Sequence, residues 1–453
     1  MTTAGKPGHP RAAFRHRDFR LALLGSVASV LAMQMQGVAI GWQVYDLTHR
    51  PLDLGFVGLA QFAPAIVLSL FAGQTADRFD RRGILRICQL ALGVCSLLLL
   101  LEARDTTPSV GRIYALLVLV GISRAFSAPA SQALLPHLVP TEDFANAVTW
   151  THSVRQLASM VGPAVGGLIY GAAQSAAGVY ATCAALYVVA FSLTTLVATR
   201  TGRLETEAPT LDTLLAGVRF VWREKIVLGC ISLDLFAVLF GGAVALLPVY
   251  ARDILHVGPR GLGLLRSAPA IGAAVMGGYL AYHPLRRRAG PVMFVSVGIF
   301  GLATIVFGIS TTFWLSLAAL FVTGAADMVS VVIRLTLVQL STPAAMRGRV
   351  SAVNMAFINA SNELGEFESG VTAALLGTVA AVMVGGAGTC IVVLLWSYLF
   401  PELRALETLT AANRAAGGPV PALAKRPLPD TAAAASTCPP SPSGPRKIPD
   451  RSQ

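Results

Sequence analysis

Twelve apolar runs follow one another along this chain, each close to the roughly 20 residues a helix needs to cross about 30 Å of hydrocarbon. They are read at 19–46, 53–75, 83–103, 111–136, 145–170, 178–199, 226–251, 260–282, 291–310, 313–341, 349–378 and 379–400. A chain with this pattern is an all-α membrane protein of twelve transmembrane helices. Composition agrees, since 54% of the 453 residues are apolar and only 13% charged, and the mean hydropathy is +0.65. That leaves too little polar surface for a soluble protein of this length. The net charge of +12 does not imply nucleic acid, because the basic residues fall in loops and tails between the apolar runs.

The distribution of those basic residues sets the topology. With the N-terminus in the cytoplasm, inside loops carry Arg78, Arg81, Arg82, Arg200, Arg203, Arg219, Arg223, Lys225, Arg286, Arg287, Arg288, Arg347 and Arg349. Outside loops carry only Arg50, Arg104, Arg112, Arg252 and Arg260. An excess of Arg and Lys on one side marks the cytoplasmic face, so both termini are expected there. The polar, basic start lacks a short apolar core followed by a cleavage site, so the first run is expected to be retained as a span. Five regions result: a cytoplasmic segment 1–18, a six-helix half 19–199, a linker 200–225, a second half 226–400 and a disordered cytoplasmic tail 401–453. In the linker, LDTLLAGVRFVWREK places apolar residues at helical spacing beside Arg219, Arg223 and Lys225, which predicts an interfacial helix. The tail, rich in Ala, Pro and Ser, cannot bury enough apolar area to order itself.

A weak internal repeat supports two pseudo-symmetric halves. A shift of 203 positions places Gly121 on Gly324 and Pro140 on Pro343. DRFDRR follows the second span of the first half, and Arg286, Arg287 and Arg288 follow the second span of the other. Repeated halves of this kind enclose a central path.

Between the second and third spans, GQTADRFDRR runs from Gly73 to Arg82. Its charges cost about 2.5 to 3.5 kcal/mol each at the bilayer centre, so the loop stays at one membrane face. It reads either as a solvated turn that obeys topology or as a gating element. The Gly-x-x-x-Asp-Arg start resembles the loop between helices two and three of major facilitator superfamily transporters. The resemblance extends over about residues 14–400, through SRAFSAPASQALLPHLVP at 123–140, GPAVGG at 162–167, SLDLFAVLFGGAVALLPVYARDIL at 232–255, RGRVSAVN from 347 and SNELGEFESG at 361–370. Within the superfamily, the chain is most similar to the branch of siderophore exporters and related efflux proteins. Two positions depart from the superfamily pattern. Asp80 stands where a second Gly is usual in the loop, and Ala158 replaces an earlier Gly of the helix-five motif.

The resemblance gives Gly73, Asp77, Arg78, Arg81 and Arg82 a gating role, with Asp77 meeting the start of the eleventh span and the arginines meeting carboxylates such as Glu142 or Asp143. In the fifth span, Gly162, Gly166 and Gly167 allow a close helix approach and Pro163 adds a bend. This motif serves ordinary packing or a seal between the halves near the outer side.

Charges inside spans carry the functional reading, because an unpaired charge facing lipid is costly. Arg124, Arg155, Asp234, Arg266, Asp327, Arg334, Glu363, Glu366 and Glu368 all fall within predicted helices. The shift of 203 sets Arg124 on Asp327, so these two are expected either to face each other across the cavity or to pair within their own halves. Asn359, Asn362, Glu363 and Glu366 recur at three- and four-residue steps on one helix face. Two carboxylates on one buried face repel each other and favour proton binding. The proton-coupling candidates, in order, are Asp234, Glu366, Asp327 and Glu363. Candidates lining the substrate cavity are Arg124, Asp327, Arg334, Arg266 and Asn359. Each carboxylate has a structural alternative as an ion pair with Arg266, Arg155 or Arg334. His152, a lone imidazole in a span, ranks below them.

The motifs of common enzymes are missing from the sequence: it has no Gly-x-x-x-x-Gly-Lys, no Gly-x-Ser-x-Gly and no His-Glu-x-x-His. The six cysteines, Cys88, Cys95, Cys183, Cys230, Cys390 and Cys438, show neither paired nor metal-ligand spacing. No enzyme activity, cofactor or metal is therefore expected. The expectation is a proton-coupled transporter that exports a small amphipathic or anionic molecule, such as a siderophore or drug, by alternating access. It would act as a monomer in a bacterial inner membrane, with protons and lipid as its other partners. The three inward arginines favour an anionic or aromatic, polyhydroxylated cargo. An importer of the same fold, multidrug efflux, a non-transporting sensor or scaffold, and a membrane-embedded enzyme are the alternatives.

Overall fold

The computed structural model describes residues 12–199, 211–285, 288–343 and 346–406. The tail expected to be disordered from 401 is ordered in its first six residues, where a helical turn Pro401–Arg404 carries Leu403 and Leu406 into the core of the second half because these two leucines have apolar neighbours to cover them. The tail from 407, Arg286 and Arg287, and the first part of the linker lie outside the described residues. The first half consists of α1 Arg17–Thr48, α2 Pro51–Arg78, α3 Arg81–Glu102, α4 Val110–Leu134, α5 Phe144–Ala173 and α6 Ala176–Leu196. A linker helix, Leu211–Arg223, follows. The second half consists of α7 Lys225–Phe240, α8 Gly258–Tyr282, α9 Ala289–Ile309, α10 Phe313–Ser341, α11 Arg347–Leu376 and α12 Thr378–Leu399.

Local chemistry fixes several of these boundaries. α1 ends where His49 turns left-handed at φ 51°, and Pro51 then starts α2 with its φ already set for a helix. Pro64, Pro129, Pro163 and Pro269 lie inside helices, where each removes a backbone hydrogen bond and bends its helix. α7 departs from the uninterrupted span expected over 226–251. It stops at Gly241 and Gly242, then proceeds through a 3-10 turn Ala243–Leu246 and a π-helical turn Tyr250–Ile254.

Among the described residues ten helical segments are long and apolar enough to cross a membrane, and α5 and α11 are not among them. Both are 30 residues long and lie between other spans, which is consistent with twelve crossings. They fall short in hydropathy because they carry polar residues such as Arg155, Glu363 and Glu366, which the bundle interior accommodates. The shift of 203 residues carries Phe144–Ala173 onto Arg347–Leu376 end for end.

The same repeat governs packing. In the first half α1 lies against α5 and α6, α2 against α4, and α3 against α4 and α6. In the second half α7 lies against α11 and α12, α8 against α10, and α9 against α10 and α12. The two halves meet chiefly along α2 with α11 and α5 with α8, and these contacts are also exchanged by the repeat. Each half has its own core. Leu117, Val44 and Tyr180 anchor the first, where the buried Tyr180 hydroxyl donates to Gln43 Oε1 at 2.7 Å. Phe294, Leu337 and Val227 anchor the second. In lipid, close van der Waals contact holds such helices together, which favours small residues where backbones meet.

Candidate functional site in the bundle centre

Halfway along the bundle, charged side chains from both halves converge. Arg124 on α4 donates to Gln61 Oε1 of α2 at 3.1 Å, and its other terminal nitrogen lies 3.9 Å from Glu363 Oε1 of α11. Arg266 on α8 reaches the other way and donates to the Gly37 carbonyl of α1 at 3.3 Å. Both arginines thus cross between halves, and both act electrostatically on Glu363 and Glu366. Gly58 of α2 makes room for these carboxylates, since a Cβ there would sit 3.0 Å from Glu366 Oε2 and 3.8 Å from Glu363 Oε2.

The pairing differs from the Arg124–Asp327 contact considered from the repeat. Among the described residues Arg124 pairs with Glu363, and Asp327 has neither a hydrogen bond nor an ion pair. The repeat places 124 and 327 at equivalent depths, but equivalent positions on two helices need not face one another. Glu363 lies closer because α11 packs directly on α2, beside Arg124. Asp234, ranked first as a proton carrier, is instead locked in a buried ion pair with Arg334 between α7 and α10. The pair is internal to the second half, so Arg334 is withdrawn from the central path. Charge type in a span was legible in the sequence, but the partner was not.

Other candidates are placed as follows. Glu368 accepts from Thr372 Oγ1 at 2.6 Å within its own helix. Arg155 donates to Ser26 Oγ at 3.2 Å and ties α5 to α1. His152 is exposed. The side chains of Asn359 and Asp77 lie outside the described residues. Gln61 was missed, although it stands one helical turn from Gly58 on the central face of α2.

Beside the central charges, a cavity of about 250 Å³ opens within the second half. Asp327, Glu366, Asn362, Thr304 and Thr323 supply its polar lining, and Phe300 and Phe307 part of its apolar wall. The break in α7 at Gly241 and Gly242 forms one side.

At the end of the bundle where α1 finishes and α2 begins, the halves are in tight contact. A Cβ on Gly167 of α5 would meet the Pro259 carbonyl oxygen at 2.5 Å and Gly263 Cα at 2.9 Å, both in the other half. Gly370 of α11 makes the corresponding approach to Gly55 of α2, where a Cβ would lie 2.8 Å from Gly55 Cα. Gly167 and Gly370 are themselves related by the 203-residue shift, a signal that could have identified Gly370 beforehand. Gly162 and Gly166 pack instead against Gln34 and Met35 of α1 in their own half. The Pro163 carbonyl would lie 2.5 Å from a Cβ on Gly263. Polar contacts join the same end: the Tyr45 hydroxyl donates to Asp253, and Arg252 pairs with Asp46. These were not foreseen, because each residue alone looks like an ordinary span terminus.

The loop expected over Gly73 to Arg82 is shorter than that, since α2 continues to Arg78 and α3 starts at Arg81, leaving Phe79 and Asp80 between them. At the start of α3, Arg81 hydrogen-bonds with His137. Arg82 lies 3.9 Å from Asp80 and donates to the Val197 carbonyl. Arg78 is exposed, and a Cβ on Gly73 would have open space around it. Asp143, expected to meet these arginines, pairs with His16 at 2.9 Å. Arg81 and Arg82 thus stitch the start of α3 to other elements of the first half.

Two repeated six-helix halves around a charged centre, closed at one end, define a multi-pass membrane transporter of the major facilitator class rather than an enzyme. The chain belongs to the transmembrane secretion effector family, whose profile matches residues 9–426. It is similar to the enterobactin exporter EntS of Citrobacter koseri, with 29% identity over 393 residues, 86% of this chain and 93% of that protein. The EntS of Escherichia coli O139:H28 is 27% identical over 391 residues, again 86% of this chain and 93% of the relative. Among solved structures, a bacterial homolog of the human lysosomal transporter Spinster, in an inward-facing and unoccupied conformation, shares the fold with a TM-score of 0.66. It is 13% identical, over 88% of this chain and 97% of that one. A D-xylose–proton symporter gives a TM-score of 0.65 at 15% identity, over 85% of this chain and 98% of its own.

Proposed function

We propose that this chain exports a small amphipathic or anionic molecule of siderophore type from the cytoplasm in exchange for protons. The observation that carries this reading is the charge cluster in which Arg124 spans the halves to Glu363, beside Glu366. When Glu363 is ionised, its attraction to Arg124 draws the halves together. Protonation removes that attraction and frees the guanidinium for an acidic or catechol oxygen of the cargo. Entry of one positive charge down a potential of 100 mV supplies about 2.3 kcal/mol, enough for a cargo concentration ratio of about 50 at 1.4 kcal/mol per tenfold. The similarity to enterobactin exporters supports the cargo class, with transport in a bacterial inner membrane. On the basic-residue bias, the tightly packed end faces outside and both termini face the cytoplasm. One chain suffices, because the path lies between its own two halves. The loop at Gly73, Asp77, Arg78, Arg81 and Arg82 serves as the cytoplasmic gate.

The test is reconstitution in liposomes with enterobactin as cargo and an imposed pH gradient. Cargo movement that runs against the proton flow and stops on adding an uncoupler supports the reading. It should fall about two- to fivefold in Glu363→Gln, because an ion pair at 3.9 Å with a partly exposed arginine is worth about 0.5 to 1 kcal/mol. Uncoupler-insensitive movement, or unchanged rates in the variant, would refute it.

A further inference from the structure

The cavity in the second half has a polar lining that accepts hydrogen bonds and has little left to donate. Thr304 is buried and commits its hydroxyl proton to the Phe300 carbonyl at 2.9 Å. Thr323 is buried and commits its own to the Leu320 carbonyl at 2.7 Å. Asn362 donates one of its two amide N–H groups to the Ile358 carbonyl at 2.9 Å. What these three offer the cavity is three oxygen acceptors and a single remaining amide N–H. Asp327 and Glu366 add carboxylate oxygens, and no Arg, Lys or His lines the space.

The charges point the same way. Two arginines, Arg124 and Arg266, act on two carboxylates, Glu363 and Glu366. Asp327 is a third carboxylate and has no hydrogen bond or ion pair among the described residues. An uncompensated carboxylate at membrane depth is costly. A ligand that relieves it here must bring positive charge and donors together. An ammonium group does both, with three donors and no acceptor. Phe300 and Phe307 offer aromatic faces for the rest of such a ligand or for the cation itself.

We infer that this cavity is a binding site for a protonated primary amine, held by Asp327 and the acceptor oxygens of Thr304, Thr323 and Asn362. The inference rests on the central space being a cargo path, and it refines the cargo: a molecule with a basic nitrogen seats that end in the second half. Its acidic or catechol end then lies toward Arg124. It departs from a purely anionic cargo, because an anion would meet two carboxylates in this cavity and only the remaining amide N–H of Asn362 as a donor.

Equilibrium binding to the full-length chain in nanodiscs tests the inference without any need for transport. The probes are phenethylamine and its neutral isostere phenethyl alcohol, which fit the cavity and differ in the ammonium group alone. The amine should bind at least about tenfold more tightly, as one charged hydrogen-bonded contact requires. In Asp327→Asn the two affinities should converge. In Thr304→Val with Thr323→Val the amine should weaken several-fold while the alcohol changes little. Glu363→Gln, which lies outside the cavity lining, should keep the preference for amine even where proton-driven transport is lost, so the two readings fail separately. Equal binding of both probes, no binding of the amine, or an undiminished preference in both Asp327→Asn and the double threonine variant would overturn the inference.

Discussion

Replacing Gly167 with Ala should open the tightly packed end of the bundle. At that point α5 of one half passes α8 of the other so closely that a methyl group would lie 2.5 Å from the Pro259 carbonyl oxygen and 2.9 Å from Gly263 Cα, whereas ordinary contact begins at 3.4 Å. Both obstacles are backbone, so no side chain can swing away. The helices must part by about 1 Å, which on a 6–12 potential also forfeits part of the contact attraction along the crossing. Overpacking of this kind costs about 1 to 3 kcal/mol. The strain falls on the state in which this end is closed, since opening separates α5 from α8. A differential of that size shifts the equilibrium between the two states by about 5- to 150-fold. Spin labels on α5 and α8 near this end report the distance distribution directly, and labelling of a cysteine placed beside Gly263 reports solvent access. Gly370→Ala, at the equivalent crossing of α11 and α2, should act in the same direction because its Cβ would lie 2.8 Å from Gly55 Cα. Gly298→Ala should leave the distribution unchanged, since nothing lies within 4 Å of a Cβ there. If Gly167→Ala shows the wild-type distances and labelling rate, the halves do not separate at this crossing and the reasoning fails.

Breaking the buried Asp234–Arg334 pair by Asp234→Ala should cost about 3 to 5 kcal/mol by stranding the guanidinium, and joint replacement of both by leucine and methionine should recover most of it. Thermal unfolding in detergent, compared across the single and double variants, measures this. In the α3–α4 loop, backbone N–H donation from Thr107 is the main influence holding the Asp105 carboxyl below its ordinary 3.8, with Arg112 assisting. Because the folded value is lowered, the carboxylate supports the loop above pH 3.8 and that support fades as pH drops through the lowered value. A loop probe that titrates at or above the ordinary value, or is unaltered in Asp105→Asn, would contradict this. Arg124→Ala and Glu363→Gln should each impair transport, and the double variant should do no further harm. Additive losses would show that the two do not act as a pair.

What the sequence determined by itself was the membrane class, the all-α succession of apolar spans, the two halves and the types of charge buried among them. Those properties follow from length, hydropathy and repetition, which act locally and are written in order along the chain. The shift of 203 residues even carried the ends of α5 onto those of α11. Tertiary structure decided the partners. Asp234 took Arg334, Arg124 took Glu363, and Asp327 was left facing a cavity, because the choice depends on which helix faces are brought together. It also decided that Gly167 meets the other half while Gly162 and Gly166, on the same helix, meet α1. The break in α7 at Gly241 and Gly242 belongs to the same category, since a glycine pair within an apolar run is compatible with a continuous helix until its neighbours press on it. At Gly242 they do: the Gly365 carbonyl oxygen of α11 would lie 2.4 Å from a Cβ there, so the approach requires glycine and only the packed bundle supplies the approach.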